Sequence, residues 1–391
     1  MMSVDVIIIG AGAAGMICAV EAGRRGRRVL VIDHATAPGE KIRISGGGRC
    51  NFTNLMAPPD RFLSQNPRFA ISALSRFTPA DFVARVDQAG IGWHEKTLGQ
   101  LFCDGSARQI VSMLTDQMAE AGVTLRLSTP VRAIAKDTRF SVATDAGVIT
   151  ADSLVVATGG KSIPKMGATG FGYQVARQFG LNVTETRPAL VPLTFGDHDL
   201  ADLRPLAGIA VEARVSRGGI GFDEGLLFTH RGLSGPSILQ ISSYWREGDE
   251  LIIDLARGHD IGRTLRSARA ENGRITLQKA LARHLPAKLA AMILDRARGA
   301  GRLGEMSNAD IDRLAAAVHR WQVRPVGSEG YRTAEVTLGG VDTAALNARS
   351  MEATSVPGLY FVGEVVDVTG WLGGYNFQWA WSSGWAAGQV V

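Results

Sequence analysis

The sequence predicts a discontinuous α/β fold whose parallel sheet is begun by the first residues and finished by the last. Three observations carry this. The apolar run at 4–9 leads into Gly10-Ala-Gly-Ala-Ala-Gly15, a second apolar run at 29–32 ends in Asp33, and a third at 359–362 ends in Gly363-Glu364 ahead of an apolar segment at 376–389. Short, wholly apolar runs feeding glycine-opened helices are what a sheet covered on both faces requires.

The first unit is a dinucleotide fingerprint in its expected setting. Gly10 permits the tight turn from strand to helix, Gly12 lets the backbone approach a pyrophosphate, and Gly15 lets helix and strand pack closely. Ala13 and Ala14 then present the unpaired N–H groups of a helix start to the anion. Asp33, with His34 beside it, stands where a carboxylate accepts from ribose hydroxyls.

Further along, residues 39–54 hold too many glycines and polar residues for a helix or strand and predict a structured loop. Helical spacing of apolar residues appears at 67–74, 79–88 and 107–120, the last two closed by Gly90 and Gly122. Strands follow at 124–127, 131–135, 140–144 and 148–150, the last pair read as a hairpin, and 153–157 is an apolar strand ending in Thr158-Gly159-Gly160. From about 190 the texture changes. Pro188, Pro192 and Pro205 punctuate short alternating runs such as 209–215 and 251–255, which predict a small β domain. Residues 277–284, 287–298 and 308–321 read as helices, and 333–338 as a strand.

At 391 residues and 46% hydrophobic content the chain has room for two or three domains. Few residues precede the first strand, which leaves no room for a signal peptide, and no apolar run approaches the roughly 20 residues that span a bilayer. A soluble, cytoplasmic protein is expected. Cys18, Cys50 and Cys103 are too scattered for a disulfide framework or a zinc site, so no metal is expected. The net charge of +5 comes from arginines spread along the chain, and a basic turn such as Arg24-Arg25-Gly-Arg27-Arg28 reads as solvated surface. A preference for anionic ligands is what this balance implies.

The loop Lys41-Ile-Arg-Ile-Ser-Gly-Gly-Gly-Arg-Cys-Asn51, the glycines at 159–160 and 167–172, the stretch Phe228-Thr-His-Arg-Gly-Leu-Ser-Gly-Pro236 and the ending from Gly363-Glu364 to Gly373-Gly-Tyr-Asn-Phe-Gln378 resemble a bacterial flavoprotein family. That family is known as aminoacetone-oxidase-like or as NAD(P)/FAD-dependent oxidoreductases. The resemblance covers nearly the whole chain. It implies a Rossmann-like FAD-binding domain of the glutathione-reductase type at 1–189 and 340–391, an inserted β-barrel-like substrate domain at 190–272 and 323–339, and a small helical domain at 273–322.

Three glycine clusters, at 10–15, 159–172 and 363–374, come from strand ends of one expected sheet, which suits a long bipartite ligand such as FAD. The resemblance implies that Asp33 holds the adenosine ribose, that Val131 meets adenine through its backbone, and that Gly363 and Glu364 face the ribityl or pyrophosphate region. It further implies that Gly373, Gly374, Tyr375, Asn376 and Phe377 face the isoalloxazine edge. Ala157, Thr158, Gly159 and Gly160 complete the strand-end set. Lys41, Arg43, Ser45, Gly46, Gly47, Gly48, Arg49, Cys50 and Asn51 supply donors for phosphate and flavin ring atoms. No thiol lies near enough in sequence to pair with Cys50, so a packed, inert thiol is expected there. His230 and Arg231 are the candidates for catalysis, a proton carrier and an anion clamp; a tight structural turn is the competing reading of the same residues.

These readings converge on an oxidoreductase that exchanges a hydride between a small organic substrate and noncovalent FAD, between the nucleotide and inserted domains. No second nucleotide fingerprint is present, so NAD(P)H would serve only as a transient donor. Oxidase and reductase directions stay open, as do substrate and oligomeric state. Two alternatives stand beside this: an RNA-binding or tRNA-modifying flavoprotein, and a flavin redox sensor without turnover. The chain lacks a long basic C-terminal appendage, so nucleic acid is not the expected partner.

Overall fold

The computed structural model describes residues 2–391 and divides into two compact units, residues 2–188 with 335–391 and residues 189–334. In the first, five parallel strands stand in the order Leu359–Phe361, Ser153–Val156, Val6–Ile9, Val29–Ile32, Thr124–Arg126. All but the last are buried along most or all of their length, which is why their sequences are apolar without alternation.

Register decides where the site lies. Ile9 pairs with both Ile32 and Val156, and Val156 pairs with Phe361. The strands end level, so Gly10, Asp33, Ala157 and Val362 leave the sheet along one edge.

The helix Ala13–Arg24 packs against the terminal helix Tyr375–Gly388. Glycines four residues apart make this crossing close: a side chain at Gly384 would run into Ala14, and one at Gly388 would come within 2.9 Å of the Cys18 carbonyl oxygen. Aromatic side chains lock the other flank of the terminal helix. Trp381 stacks on Phe82 at 4.2 Å and on Phe377 at 5.7 Å, and its indole N–H donates to the Phe52 carbonyl at 2.8 Å.

Residues 39–54 correct the expectation of a structured loop without helix or strand. A helix assigned over Glu40–Gly48 has helical backbone only before Ser45, and Asn51–Asn54 is a strand paired antiparallel with Gln100–Cys103. Lys41 to Ile44 contain no helix breaker, whereas the glycine run departs into the left-handed region. The polar strand escaped notice because its register partner lies some fifty residues away.

The second unit is built on a seven-stranded antiparallel sheet in the order Trp321–Val323, Leu251–Asp254, Ala210–Arg217, Ile220–Thr229, Gly232–Ser234, Leu193–Thr194, Gly327–Ser328. Its helices include Ile261–Asn272, Leu277–Leu281, Ala287–Arg296 and Asn308–His319. Ile261–Asn272 was not anticipated, because its buried face is narrow, Ile261, Leu265 and Ala268, among five arginine, serine and threonine positions. Among the described residues, no helix is long and apolar enough to cross a membrane.

Candidate functional site

The fingerprint glycines are required by their neighbours. A Cβ on Gly10 would lie 2.8 Å from the Ala157 carbonyl carbon, and one on Gly15 would overlap the Gly10 carbonyl oxygen. Gly12 differs: nothing lies within 4 Å of its Cβ position, and it begins the helix Ala13–Arg24 without any side-chain cap. An open, uncapped helix start is an anion seat. A Gly12→Ala variant is therefore expected to fold with wild-type stability while binding FAD about tenfold more weakly, a loss of about 1.4 kcal/mol, measured by flavin release on dilution.

Asp33 is anchored to that turn. Its carboxylate accepts from the Ala11 N–H at 2.7 Å and from the Ala35 N–H at 2.8 Å, while His34 is half-exposed with its ring 3.4 Å from the same carboxylate. Thr129 donates to the Asp33 carbonyl and Ser128 to the Ala35 carbonyl, each at 2.8 Å, which carries the chain into Val131 beside the acidic residue.

A second cluster closes the middle of the edge. The Lys41 ammonium donates to Glu364 at 2.7 Å and to the Ser162 hydroxyl at 2.5 Å, and the Thr337 N–H donates to the other Glu364 oxygen at 2.8 Å. Burial pushes the Glu364 carboxyl up, but the Lys41 charge and these hydrogen bonds outweigh it and hold the group below its ordinary 4.5. Gly160 packs directly on this group, since a Cβ there would lie 2.6 Å from Glu364 Oε1. Lys41 and Glu364 thus neutralise one another, and Ser162 and Thr337, which sequence reading missed, complete the network. Ser162 follows the 159–160 glycines by two residues, the one signal that pointed to it.

The third cluster joins segments some 320 residues apart. Ser45 is extended, and Gly46, Gly47 and Gly48 follow at φ 57°, 66° and 85°, a run of left-handed backbone that other residues rarely sustain. Nothing approaches within 4 Å of the Cβ positions of Gly47 and Gly48. Arg43 lies 3.3 Å from Glu40, whereas among the described residues the exposed Arg49 guanidinium has no hydrogen-bond or ion-pair partner. The following strand then holds the start of the terminal helix. Asn54 donates to the Gly373 carbonyl at 3.0 Å, Gly374 sits on the Thr53 backbone, and Thr53 donates to Gln378 at 2.6 Å. The Asn51 and Gln100 amides face each other at 3.0 Å, with Gly373 packed against Gln100.

Three residues expected at the ring edge have their side chains engaged elsewhere. The Asn376 amide is bonded to both backbone groups of Gly370, Tyr375 is buried with its oxygen accepting from Arg61 at 2.7 Å, and Phe377 lies on Trp381. What this helix start offers a ligand is backbone N–H groups, since Gly374 supplies no side-chain cap.

Cys50 is fully buried, and burial pushes its thiol well above the usual range. Spatially it is not alone: Asn51 pairs with Phe102, which sets Cys50 opposite Cys103, itself pushed up to about 11 mainly by burial. Both thiols are inert by these measures. A Cys50→Ala variant is expected to lose about 1 kcal/mol of stability and to retain its full flavin content, checked by thermal denaturation and absorbance.

His230 and Arg231 lie in the second unit, exposed at the two-residue connection between Ile220–Thr229 and Gly232–Ser234. The Arg231 N–H meets the Thr229 hydroxyl at 3.3 Å and its carbonyl accepts from Phe195 at 3.2 Å. They belong to none of the three clusters above.

The residues of the first unit fit a long dinucleotide. Two uncapped helix starts, an open glycine turn and, among the described residues, an unpaired Arg49 and a buried Thr158 hydroxyl without a hydrogen-bond partner all lie on or beside the strand ends. The Asp33 and Val131 end suits an adenosine, Gly12 a pyrophosphate, and the 45–51 and 373–376 segments a planar ring.

Comparison with known proteins agrees. Residues 4–390 match the model of the family described as HI0933-like protein Rossmann domain. A relative from Escherichia coli K12, named ribosomal RNA dihydrouridine synthase, is 53% identical over 98% of this chain and 97% of its own. A Clostridium scindens protein named 3-dehydro-bile acid delta(4,6)-reductase is 28% identical over 98% of each chain. Among solved structures, the 3-ketosteroid-delta4-(5alpha)-dehydrogenase of Rhodococcus jostii RHA1 superposes with a TM-score of 0.52, covering 99% of this chain and 97% of its own at 14% identity, a likeness of fold. None of these three carries the aminoacetone oxidase name that the sequence motifs suggested. The fold is a Rossmann-type FAD-binding α/β fold.

Proposed function

This chain belongs to the HI0933-like Rossmann-domain family, and on that premise we propose that it is a FAD-dependent reductase that saturates the C5–C6 bond of a uridine in ribosomal RNA. The observation that carries the proposal is the 53% identity, along 98% of the chain, to the E. coli ribosomal RNA dihydrouridine synthase. The RNA alternative thereby takes precedence over the small-molecule substrate, and nucleic acid replaces it as the partner.

The chemistry is consistent across the relatives. The C5–C6 bond of uracil is conjugated with the C4 carbonyl, and the Clostridium scindens reductase is named for delta-4,6 double bonds of a bile acid oxidised at position 3. In uracil such an electron-poor alkene would take up a hydride at C6, remote from the carbonyl, and a proton at C5. When bound and reduced, FAD would supply the hydride, and NAD(P)H is the donor we assign for reducing it beforehand. The protein's own contribution is to fix the ring. The 45–51 backbone and the start of Tyr375–Gly388 offer N–H groups where negative charge collects, and the paired Lys41 and Glu364 hold the strand ends without leaving net charge beside it. His230 and Arg231 are assigned to substrate handling, Arg231 as a clamp for a phosphate or carbonyl oxygen.

The test is an anaerobic titration. NADPH or NADH should bleach the visible flavin band of the purified holoprotein, and uridine-containing ribosomal RNA should restore it in the absence of oxygen. A band restored by a steroid enone and not by RNA would replace the substrate class and keep the reaction type.

A further inference from the structure

The positive charge of this chain is not spread evenly. Residues 257–302 carry 11 basic and 3 acidic side chains, whereas the remainder carries 31 basic and 34 acidic. The whole excess of positive charge therefore resides in one helical stretch of the second unit. Four of its cations are held by neighbours within that unit: Arg257 by Asp223, Arg266 by Asp312, Arg296 by Asp202, and Arg269 by the Met306 carbonyl and Asn308.

The other seven are Arg263, Arg274, Lys279, Arg283, Lys288, Arg298 and Arg302. All are exposed, and among the described residues none of them is in an ion pair, although the Glu305 carboxylate accepts from the Arg302 backbone N–H at 3.1 Å. The backbone gathers several of them. Thr276 and Arg302 form an antiparallel bridge, so Arg274 and Arg302 are diagonal neighbours on one face of it. The Leu277 N–H reaches the Gly301 carbonyl at 3.2 Å, and a Cβ on Gly299 would lie 3.9 Å from Leu277, which brings the Arg298 turn to the start of Leu277–Leu281. Like charges gathered in excess of their counter-ions repel one another, and a polyanion relieves that repulsion by releasing its own condensed counter-ions.

We infer that this basic surface, centred on Arg274, Arg298 and Arg302 in the turns between the helices, is the docking surface for the phosphate backbone of the RNA. The inference rests on the function proposed above, and it assigns positioning rather than chemistry to these residues: phosphate contacts orient a nucleic acid without reading its sequence. Arg263, Lys279, Arg283 and Lys288 extend the surface along the neighbouring helices.

The experiment compares three full-length holoproteins: wild type, R274A/R298A/R302A, and a control lacking three exposed, unpaired arginines of the first unit, R68A/R108A/R177A. Binding to a transcribed ribosomal RNA fragment is measured by fluorescence anisotropy over a range of salt, alongside flavin content and the rate of flavin reduction by NAD(P)H. The first triple variant should bind at least tenfold more weakly at low salt. The slope of log affinity against log salt should become shallower by about 2, three lost contacts at roughly 0.7 each for single strands. Its flavin content and reduction rate should match wild type, and the control should retain wild-type affinity. Equal affinity and slope in all three, or equal losses in both triples, would overturn the docking surface and leave the proposed reaction standing. A wild type that ignores RNA, or that binds vesicles of anionic phospholipid through these arginines in its place, would overturn both.

Discussion

A Gly15→Ala variant is expected to lose roughly 3 kcal/mol of stability and to purify with little or no flavin. The added methyl would overlap the Gly10 carbonyl oxygen and stand 3.2 Å from the Ala157 Cβ. Neither neighbour can yield, because Gly10 and Ala157 continue the two central strands whose ends are paired through Ile9 and Val156. Relief would have to come from the helix Ala13–Arg24 moving off the sheet, and that motion would open its crossing with Tyr375–Gly388. The contrast with Gly12→Ala is informative. One methyl fills space that the protein does not use and the other fills space that it does, so equilibrium unfolding and flavin content should part company only in the Gly12 variant.

The second large effect lies at Lys41. A Lys41→Met variant leaves the Glu364 carboxylate, 17% exposed, without its cation. Removing one partner of a fully buried pair costs about 3 to 5 kcal/mol; Lys41 is 32% exposed, and solvent screening brings the expectation to about 2 kcal/mol. Pairing the change with Glu364→Gln should recover most of the loss, because the uncompensated charge then disappears. The pH dependence has a definite sign. Glu364 is held below its ordinary 4.5 in the folded protein. Its contribution is therefore fully present above about pH 4.5 and is lost as pH falls through the folded value. Urea titrations from neutral pH to well below pH 4.5 should show wild type losing this increment on the acid side and the double variant lacking it.

Much of this was legible in the sequence, for reasons that separate the two units. The strands Val29–Ile32 and Phe140–Thr144 and the helix Pro79–Gln88 have the bounds that the periodicity indicated. In each, the pattern and the capping residues act within the segment: Thr78, for example, caps Pro79–Gln88 through a reciprocal bond with Asp81. The glycine turn at 10–15 was equally plain, because its constraints lie in contacts that every such turn makes. What escaped was non-local. The pairing of Asn51–Asn54 with Gln100–Cys103, the grip of Asn54 on Gly373, and the joining of Lys41, Ser162, Thr337 and Glu364 bring together residues from distant parts of the chain. No spacing in the sequence announces them. Tyr375, Asn376 and Phe377 show the converse. Their position at the helix start was legible, and the contacts that engage their side chains were not.

The clustering of charge was readable from the sequence as well, yet a net total concealed it. The value of +5 is the small difference between a strongly basic stretch and a mildly acidic remainder. Only the ion pairs show which of the cations stay available to a partner.

The most direct test of the account is to count dihydrouridine by nucleoside mass spectrometry in ribosomal RNA, taken from cells lacking this protein, after incubation with the purified holoprotein and NAD(P)H. The account predicts that uridine gains two hydrogens at a defined position with the wild type, less so with Gly12→Ala, and not at all when FAD is removed. Ribosomal RNA left unchanged by a holoprotein whose flavin NAD(P)H reduces would contradict it.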